Sequence, residues 1–433
     1  RRRRGWRHLP SMTATPGVTQ RPQMEGVASR AVFAGKFAPL SALVPVTEVQ
    51  PDGVVILGAG LLSGLTAGSE FEGIATQPDA VPRIQITSAT ASTAQAKLLS
   101  GKLRAGEVVR EVKHQYTERP IRLFVGGLQV ADVDTALAKQ LSQAIDEARK
   151  FSLQGFELVP KREEADWRLE ILRPKPGTQA SITTLPEGVA CKSGSCEAPE
   201  LWVVSPLGQL MDSKMRFSMA NPQAEMPRLL SNLALFAHAR EVRAIGAQGN
   251  ETPLQVQVSV LRPPPGDTAS CLVGVKENSG WQRSAPVPLN NLNSQDVRFR
   301  DCLAFTLVNR DPAKTWYGYI LGVDPNFSVQ PVWPRAGRME DEARIEPGRT
   351  YAVTDSLYRL SDPGRETLLF VASETPAPVA SLARSGMRNA TTRGDRSPLA
   401  RLLTASTLTR GPESQMDNWG ALSVEIDVPG PTQ

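Results

Sequence analysis

Residues 254–260, LQVQVSV, alternate apolar and polar side chains without interruption. A period of two residues is the pattern of a β-strand that buries one face and exposes the other. Further short apolar runs follow, and turn sequences such as Asp324-Pro325-Asn326 and Glu346-Pro347-Gly348 separate them. These runs lie at residues 271–275, 297–308, 316–323, 328–333, 350–353 and 366–372. Short strands at this spacing predict a β-sandwich over residues 251–375.

The N-terminal half also predicts short strands. A chain of 433 residues is too long for one ordinary core, and its 35 prolines favour short elements, because proline is excluded from helix interiors and central strands. Between residues 38 and 116, glycines punctuate a series of apolar runs. The runs lie at residues 54–57, 70–74, 82–88 and 106–112. They predict a small β-barrel-like module.

In residues 117–250 the apolar side chains recur at helical spacing in some stretches and form short strand-like runs in others, which predicts an α+β module. A strand at 121–125 precedes a helix that Asp132 or Asp134 can cap, with Leu137, Leu141 and Ile145 on one stripe. A second helix is predicted over residues 224–245, strands are predicted at 157–159, 167–172 and 201–204, and a surface loop at 174–199. The predicted fold class is therefore a β-rich multidomain α+β protein, with a small β-barrel-like module, an α+β module and a C-terminal β-sandwich.

The two ends of the chain are predicted to be less ordered. Residues 1–37 have no visible period and predict a disordered leader. Residues 376–433 predict a mobile linker followed by a returning C-terminal strand, because Pro, Arg, Ser and Thr are frequent at first and residues 422–428 then alternate again. We expect this last strand to pair with the sandwich.

Charge and hydropathy exclude two classes of partner. The net charge is +5, but four arginines occupy residues 1–4, and removing them leaves only +1. Phosphate binding needs a clustered basic face, so no nucleic-acid partner is expected. No apolar run approaches the roughly 20 residues that span a bilayer, so no membrane span is expected. The sequence leaves open whether a bacterial cell would keep this chain in the cytoplasm or export it, and it leaves the oligomeric state open.

The glycine-rich stretch at residues 54–64, VVILGAGLLSG, resembles the start of a dinucleotide-binding fold. Such a fold needs a helix directly after the glycines, so that the pyrophosphate meets the helix N-terminus. Here Gly68 and a second strand follow instead, and the nearest suitable acidic residue, Asp79, lies in a proline-flanked loop. Tight turns are the preferred interpretation, and no cofactor is predicted.

The cysteines and histidines offer no clear catalytic or metal-binding set. Cys191 and Cys196 could ligate zinc or form a local disulfide, but zinc needs about four ligands and no second close pair exists. His114 and His238 are far apart in the sequence, and Cys302 lies in a strand without a glycine-flanked loop to present its sulfur. Cys271 and Cys302 are therefore interpreted as buried thiols, and no metal ligand is predicted.

Three aromatic residues are candidates for a binding surface. Tyr317, Tyr319 and Trp333 lie on predicted strands of the sandwich, where an exposed face would bind a peptide or a glycan. On alternating strands half of these rings are expected to point into the core. If the surface exists, replacing Tyr317 and Tyr319 together leaves the fold intact and abolishes partner capture.

Several segments, in this order, resemble the region that follows the peptidase domain in bacterial caspase-like proteins of the metacaspase or orthocaspase type. Residues 19–26, TQRPQMEG, resemble the segment that leaves the peptidase domain, and residues 59–71, AGLLSGLTAGSEF, resemble a turn of the next small β-module. Residues 201–206, LWVVSP, resemble a strand of the α+β module. Later segments resemble the C-terminal domain of unknown function of these proteins: YILGVD at 319–324, VWP at 332–334, IEPG at 345–348, ETLLFVAS at 366–373 and NW at 418–419.

The resemblance implies an accessory role, since the catalytic His-Gly and Asp-x-Cys-x-Ser-Gly segments of that family are absent from these residues. On this interpretation residues 1–37 are the end of a missing peptidase domain, and the chain is a truncated form with no catalytic residue of its own. The expected partner is a protein or a peptide. Two alternatives stay open. One is a cysteine-type endopeptidase with a site around Cys302 or Cys191, and the other is a free-standing β-protein that binds peptides or surfaces.

Overall fold

The computed structural model describes most of the chain between Leu43 and Gly430. The described residues are 43–74, 81–127, 132–150, 153–175, 183–187, 198–247, 250–264, 271, 280–335, 340–353, 357–377, 382, 387 and 418–430. The predicted leader at 1–37, the predicted strand at 271–275 apart from Cys271, and both Cys191 and Cys196 lie outside them. The fold is β-rich with several sheets, which confirms the predicted class.

The first module is a closed antiparallel barrel of six strands. The strands are β1 Leu43–Val49, β2 Val54–Leu57, β3 Glu70–Gly73, β4 Arg83–Ala89, β5 Ala94–Ser100 and β6 Val108–Lys113. They close in the order β1-β2-β5-β4-β3-β6 around an apolar interior that includes Val55, Phe71 and Ile84. Strand β5 was not predicted, because its sequence AQAKLLS lacks β-branched residues. Its pairing with β2 and β4 overrides that weak propensity.

The glycine-rich stretch of the barrel forms a tight turn, as the preferred interpretation expected. Strand β2 ends at Leu57 and a single short helical turn at Leu61–Ser63 follows, rather than a long helix. A Cβ atom on Gly60 would come within 2.3 Å of the Thr90 carbonyl oxygen, so only glycine fits. This glycine therefore permits close backbone contact inside the barrel.

The second module is a mixed sheet covered on one face by two helices. Its strands are β7 Ile121–Gly127, β8 Phe156–Leu158, β9 Trp167–Leu172, β10 Glu200–Val204 and β11 Arg216–Ser218, and its helices are α1 Asp132–Arg149 and α2 Pro222–Ile245. The strand order is β11-β10-β9-β7-β8, with β8 and β9 parallel to β7. Both predicted helices are present, and their stripes bury Leu141, Ile145, Leu229 and Leu233.

The third module is a sandwich of two antiparallel sheets. One sheet contains β12 Leu254–Arg262, β13 Gln282–Arg283, β14 Val287–Pro288, β15 Cys302–Asn309, β19 Thr350–Ala352 and β20 Tyr358–Arg359. The other contains β16 Trp316–Val323, β17 Val329–Trp333, β18 Arg344–Ile345, β21 Gly364–Ser373 and β22 Trp419–Val428. Side chains of both sheets share one apolar core. Strand β22 pairs with β21 along its whole length, which confirms the predicted return of the last strand.

Helix α2 belongs to the cores of two modules at once. Its N-terminal half packs on the α+β sheet through Leu229 and Leu233. Its C-terminal half contributes Ala239, Val242 and Ile245 to the sandwich core, which the barrel residues Leu62 and Ala91 also join. The sheet that contains β16 and β21 is therefore covered on both faces, by the other sheet on one side and by α2 on the other. Within the described part of the chain, no helix is long and apolar enough to cross a bilayer.

Candidate functional site at the module junction

A small cavity lies where the barrel, helix α2 and the connection between β21 and β22 meet. Its volume is about 90 Å³, which is below the size of ordinary ligand pockets. The barrel, the connection from the barrel to β7, helix α2 and one later residue each contribute to its lining. The lining residues are Leu61, Gly64, Thr66, His114, Tyr116, Thr117, His238, Glu241, Val242, Ile245 and Leu382. Two histidines that are 124 residues apart in the sequence thus line one site.

His114 occupies a well-defined position between carboxylates. Its Nδ1 atom lies 2.7 Å from Oε1 of Glu111, its backbone N–H donates to Oε1 of Gln154 at 2.6 Å, and its ring contacts the ring of Tyr116 edge-on at 4.6 Å. Burial opposes the charged imidazolium, but the hydrogen bond to Glu111 and the charges of Glu111 and Glu241 outweigh it. The pKa of His114 is therefore raised above its usual value of 6.5.

Glu241 joins helix α2 to the connection that leaves the barrel. Its two carboxylate oxygens accept hydrogen bonds from the backbone N–H of Thr117 at 3.2 Å and from the Thr117 hydroxyl at 3.4 Å. Burial raises the pKa of Glu241, and the nearby His114 partly opposes that rise. Burial also raises the pKa of Tyr116 to about 12, so that hydroxyl stays protonated at physiological pH. The pair Glu118 and Arg240 adds a further ionic contact between the same two elements.

His238 contacts the connection between β21 and β22. Its Nε2 atom lies 2.7 Å from the carbonyl oxygen of Leu382, and because a carbonyl only accepts, Nε2 carries the proton. Leu382 is itself only 2% exposed. Among the described residues, no three His, Cys, Asp or Glu side chains are placed to hold a metal ion. The polar side chains His114, Glu241 and His238 at the junction are therefore each hydrogen-bonded to another part of the protein.

The predicted aromatic surface is not formed. Tyr319 and Trp333 are each 1% exposed and Tyr317 is half-buried, because both faces of their sheet are covered. Trp333 packs near the ring of Tyr351, with 5.3 Å between ring centroids. The hydroxyl of Tyr319 accepts a hydrogen bond from the backbone N–H of Ala377 at 2.7 Å. Because Tyr319 is buried and hydrogen-bonded, we now expect its replacement to disturb the fold, which an exposed binding residue would not do.

The interpretation of Cys271 and Cys302 as thiols is also wrong. The two residues form a disulfide, with Cα atoms 6.0 Å apart, a distance within the usual range for such bridges. The disulfide attaches the connection between β12 and β13 to the outer side of β15, where Leu261 and Trp281 pack around it. Because the sulfur of Cys302 is bonded and buried, it cannot serve as a nucleophile in this state. Cys271 and Cys302 lie on separate predicted strands, and no local pattern shows which cysteines come together in the fold, so the partnership was not predictable.

A buried carboxyl in the sandwich was also missed by sequence reasoning. Glu366 lies on β21, and its side chain points toward the opposite sheet, where the Tyr358 hydroxyl donates to Oε2 at 2.6 Å. Its other oxygen, Oε1, has no hydrogen-bond partner among the described residues. Burial raises the pKa of Glu366 to about 8, with further contributions from Asp324 and Asp362. A glutamate inside an otherwise apolar predicted strand, ETLLFVAS, was the available signal.

Comparison of the chain with family models, curated proteins and solved structures gave no match. The resemblance to caspase-like proteins therefore stays a prediction, and residues 19–26 lie outside the described residues. The other segments that carry it occupy defined places in the fold: residues 59–71 form the turn that leads into β3, residues 201–206 form most of β10 and its turn, and residues 366–373 lie in β21.

Proposed function

We propose that the chain is a non-catalytic accessory and interaction region, of the kind that follows the peptidase domain in bacterial caspase-like proteins, and that its partner is a protein or a peptide. One observation carries the proposal: the described groups that nucleophilic catalysis would need have structural partners instead. Cys302 is bonded to Cys271, His114 is paired with Glu111, and His238 holds the Leu382 carbonyl. A nucleophile needs a base held beside a reactive sulfur or hydroxyl.

The same groups join parts of the chain that are distant in the sequence. His114 and Glu241 connect the barrel to α2, and His238 connects α2 to the connection between β21 and β22. A body of several modules joined in this way suits a scaffold that presents a fixed surface to a partner. The same geometry supports the alternative of a free-standing peptide-binding protein. The two hypotheses differ only in whether the region is attached to a peptidase domain.

A peptidase assay tests this proposal. Purified chain is incubated with fluorogenic peptides that carry Arg, Lys or Asp before the scissile bond, in parallel with a thiol-reactive probe. We expect no thiol-dependent cleavage, and the C191S and C302S variants should match the parent chain in cleavage, although C302S frees the Cys271 thiol for the probe. Cleavage that disappears in either cysteine variant would support the rival enzyme and contradict the accessory role.

A further inference from the structure

One end of the barrel exposes two large apolar side chains. Ile74, directly after β3, is 59% exposed, and Leu99 near the end of β5 is 47% exposed. Pro82 lies between the two chain segments that carry them. Its carbonyl accepts the N–H of Gly73 at 2.8 Å, and a Cβ atom on Gly101 would lie 2.6 Å from its Cα atom. Ile74 and Leu99 therefore belong to neighbouring segments at the same end of the barrel.

Leu99 is exposed at a β-bulge between β4 and β5. Arg83 lies opposite Ser100 and Ile84 lies opposite Leu98, so Leu99 has no partner on β4. Leu99 and Ser100 are both exposed, which interrupts the alternation of buried and exposed side chains along β5. A bulge redirects a side chain, and here it turns a leucine toward solvent.

Four exposed cationic side chains lie around the two apolar residues, and within the described part of the chain none of them forms an ion pair. They are Arg83 on β4, Lys97 on β5, and Lys102 and Arg104 in the connection to β6. The nearby acids already have partners, because Glu72 pairs with Arg110 and Glu107 accepts the backbone N–H of Arg104 at 3.0 Å. We call Ile74, Leu99 and the four cations the barrel rim. It is defined without residues 75–80, which lie outside the described residues.

The barrel rim lies at the far end of the barrel from its contacts with the sandwich. Ala91, in the turn between β4 and β5, joins the sandwich core, and the hydroxyl of Ser92 lies 3.0 Å from that of Thr375. Strand β4 spans seven residues, or about 20 Å, between Arg83 and that turn. These contacts therefore leave the rim on the outer side of the protein.

We propose that the barrel rim binds an acidic linear segment of a partner protein, with apolar side chains between its carboxylates. Unpaired cations attract carboxylates, and Ile74 and Leu99 offer apolar contacts to the side chains between them. The proposal rests on the proposed function, which requires a protein or peptide partner. It adds the surface that binds this partner and the charge that the partner carries.

The arrangement of the cations favours a peptide over a lipid surface or a nucleic acid. Lys97 precedes Leu99 by two residues on β5, so the cationic surface continues about 7 Å down the barrel wall. An extended peptide can follow that wall, whereas a flat lipid surface would reach only the end of the barrel. None of the six rim residues is aromatic, so the rim offers no ring on which a base could stack.

The test uses a fluorescein-labelled peptide that repeats the tripeptide Glu-Leu-Asp, titrated into the full chain with fluorescence anisotropy as the readout. We expect R83E/K102E to weaken binding about tenfold, because each substitution replaces an attraction by a repulsion. The matched control is K139E/K150E, which changes the net charge equally at exposed positions on α1 and directly after it. It should bind like the parent chain.

The apolar part of the rim has its own pair of variants. L99S should weaken binding about threefold, because it removes apolar area from the contact. L207S should have no effect, since Leu207 is 83% exposed in a turn of the α+β module. A peptide that repeats Gln-Leu-Asn lacks the carboxylates and should not bind. Far-UV circular dichroism of each variant should match that of the parent chain.

Three results would overturn the proposal. The first is no binding of the acidic peptide to the parent chain, and the second is equal weakening by R83E/K102E and K139E/K150E, which shows that net charge alone decides. The third comes from parallel titrations with phosphatidylserine vesicles and with a single-stranded oligonucleotide. Binding of either without binding of the peptide, lost in R83E/K102E, would assign the rim to that ligand. All three leave the accessory role intact, since the peptidase assay tests that role separately.

A further measurement needs no variant. Hydrogen exchange of the parent chain is compared with and without the acidic peptide. Bound peptide should slow exchange at the amides of residues 99–104 and leave exchange in α1 unchanged. A peptide that binds without slowing exchange at residues 99–104 lies elsewhere on the chain, and this result would also overturn the proposal.

Discussion

The hydroxyl of Tyr358 donates a 2.6 Å hydrogen bond to Oε2 of Glu366 between the two sheets of the sandwich. Glu366 is fully buried, and Asp324 and Asp362 add negative charge near it while Arg243 on α2 adds positive charge. Burial dominates, so the glutamate keeps its proton up to a pKa of about 8. The stability of the sandwich should therefore fall as pH rises from 4.5 to about 8.

We predict that E366Q removes this pH sensitivity. Between the usual pKa of 4.5 and the folded pKa of about 8, the folded state keeps a proton that the unfolded state has lost. The free energy of unfolding of the parent chain therefore falls as pH rises, by roughly 1.4 kcal/mol per pH unit over that window. In urea unfolding at pH 5, 6, 7 and 8, the free energy of unfolding of E366Q should rise at each step relative to that of the parent chain.

A matched control for this prediction is E425Q, on the neighbouring strand β22. The Glu425 side chain is 50% exposed, so its substitution should give a pH profile parallel to that of the parent chain. A profile for E366Q that also runs parallel would show that Glu366 ionises normally in the folded protein.

The disulfide between Cys271 and Cys302 should contribute to stability. It closes a loop of 31 residues, for which loss of chain entropy in the unfolded state corresponds to about 3 to 4 kcal/mol. In a C191S/C196S background, so that only this pair responds to reductant, dithiothreitol should lower the free energy of urea unfolding by about that amount. Alkylation and mass spectrometry of the unreduced protein check the bond directly, and two free thiols there would contradict it.

Phe327 should couple the sandwich to the α+β module. It lies in the turn between β16 and β17 with φ of 59°, a strained value for a residue other than glycine, and its N–H donates to the Asp324 carbonyl at 2.9 Å. Its ring is 4.9 Å from that of Phe236 on α2, which is 4.3 Å from Trp167 on β9. F327A removes the ring that the sandwich contributes to this contact between modules.

We expect F327A to lower the free energy of unfolding by about 2 kcal/mol and to separate the unfolding of the two modules into distinct steps. Thermal unfolding followed by tryptophan fluorescence and by far-UV circular dichroism measures this. Y351A is the control, because Tyr351 is 41% exposed and its ring contact with Trp333 lies within the sandwich and not between modules. A single transition for F327A at the midpoint of the parent chain would refute the coupling.

His114 should make the junction between the barrel and α2 more stable at low pH. The raised pKa of His114 means that its charge stabilises the folded state below the usual value of 6.5, and that this contribution is lost as pH rises through the higher folded value. The His114 side chain is only partly buried, so the effect is at most about 1 kcal/mol. Relative to H114Q, the parent chain should be more stable at pH 5.5 than at pH 9.

The measurement is thermal unfolding of both proteins at the two pH values. E111Q removes the hydrogen-bond partner of the imidazole and should abolish most of the difference. If the difference in unfolding midpoint between the parent chain and H114Q is the same at pH 5.5 and pH 9, His114 does not change its charge in this range.

The elements of this fold follow closely from local sequence patterns. Strands β2, β9 and β16 were predicted with both ends correct, and the return of β22 followed from its alternation. In these segments the spacing of the apolar side chains allows only one local structure to bury them together. Strand β5 was missed because its residues favour a helix as readily as a strand, and only pairing within the barrel decides between them.

The candidate site depends on contacts that no local pattern encodes. His114 and His238 meet because the barrel connection packs against α2, and Tyr319 is buried because its sheet is covered on both faces rather than one. The sequence alone therefore determined the class of fold and the place of most strands along the chain, since hydrophobic periodicity is a local property. Only the tertiary structure decided the order of strands in each sheet, the disulfide and the burial of Glu366, because each depends on residues whose proximity arises from packing.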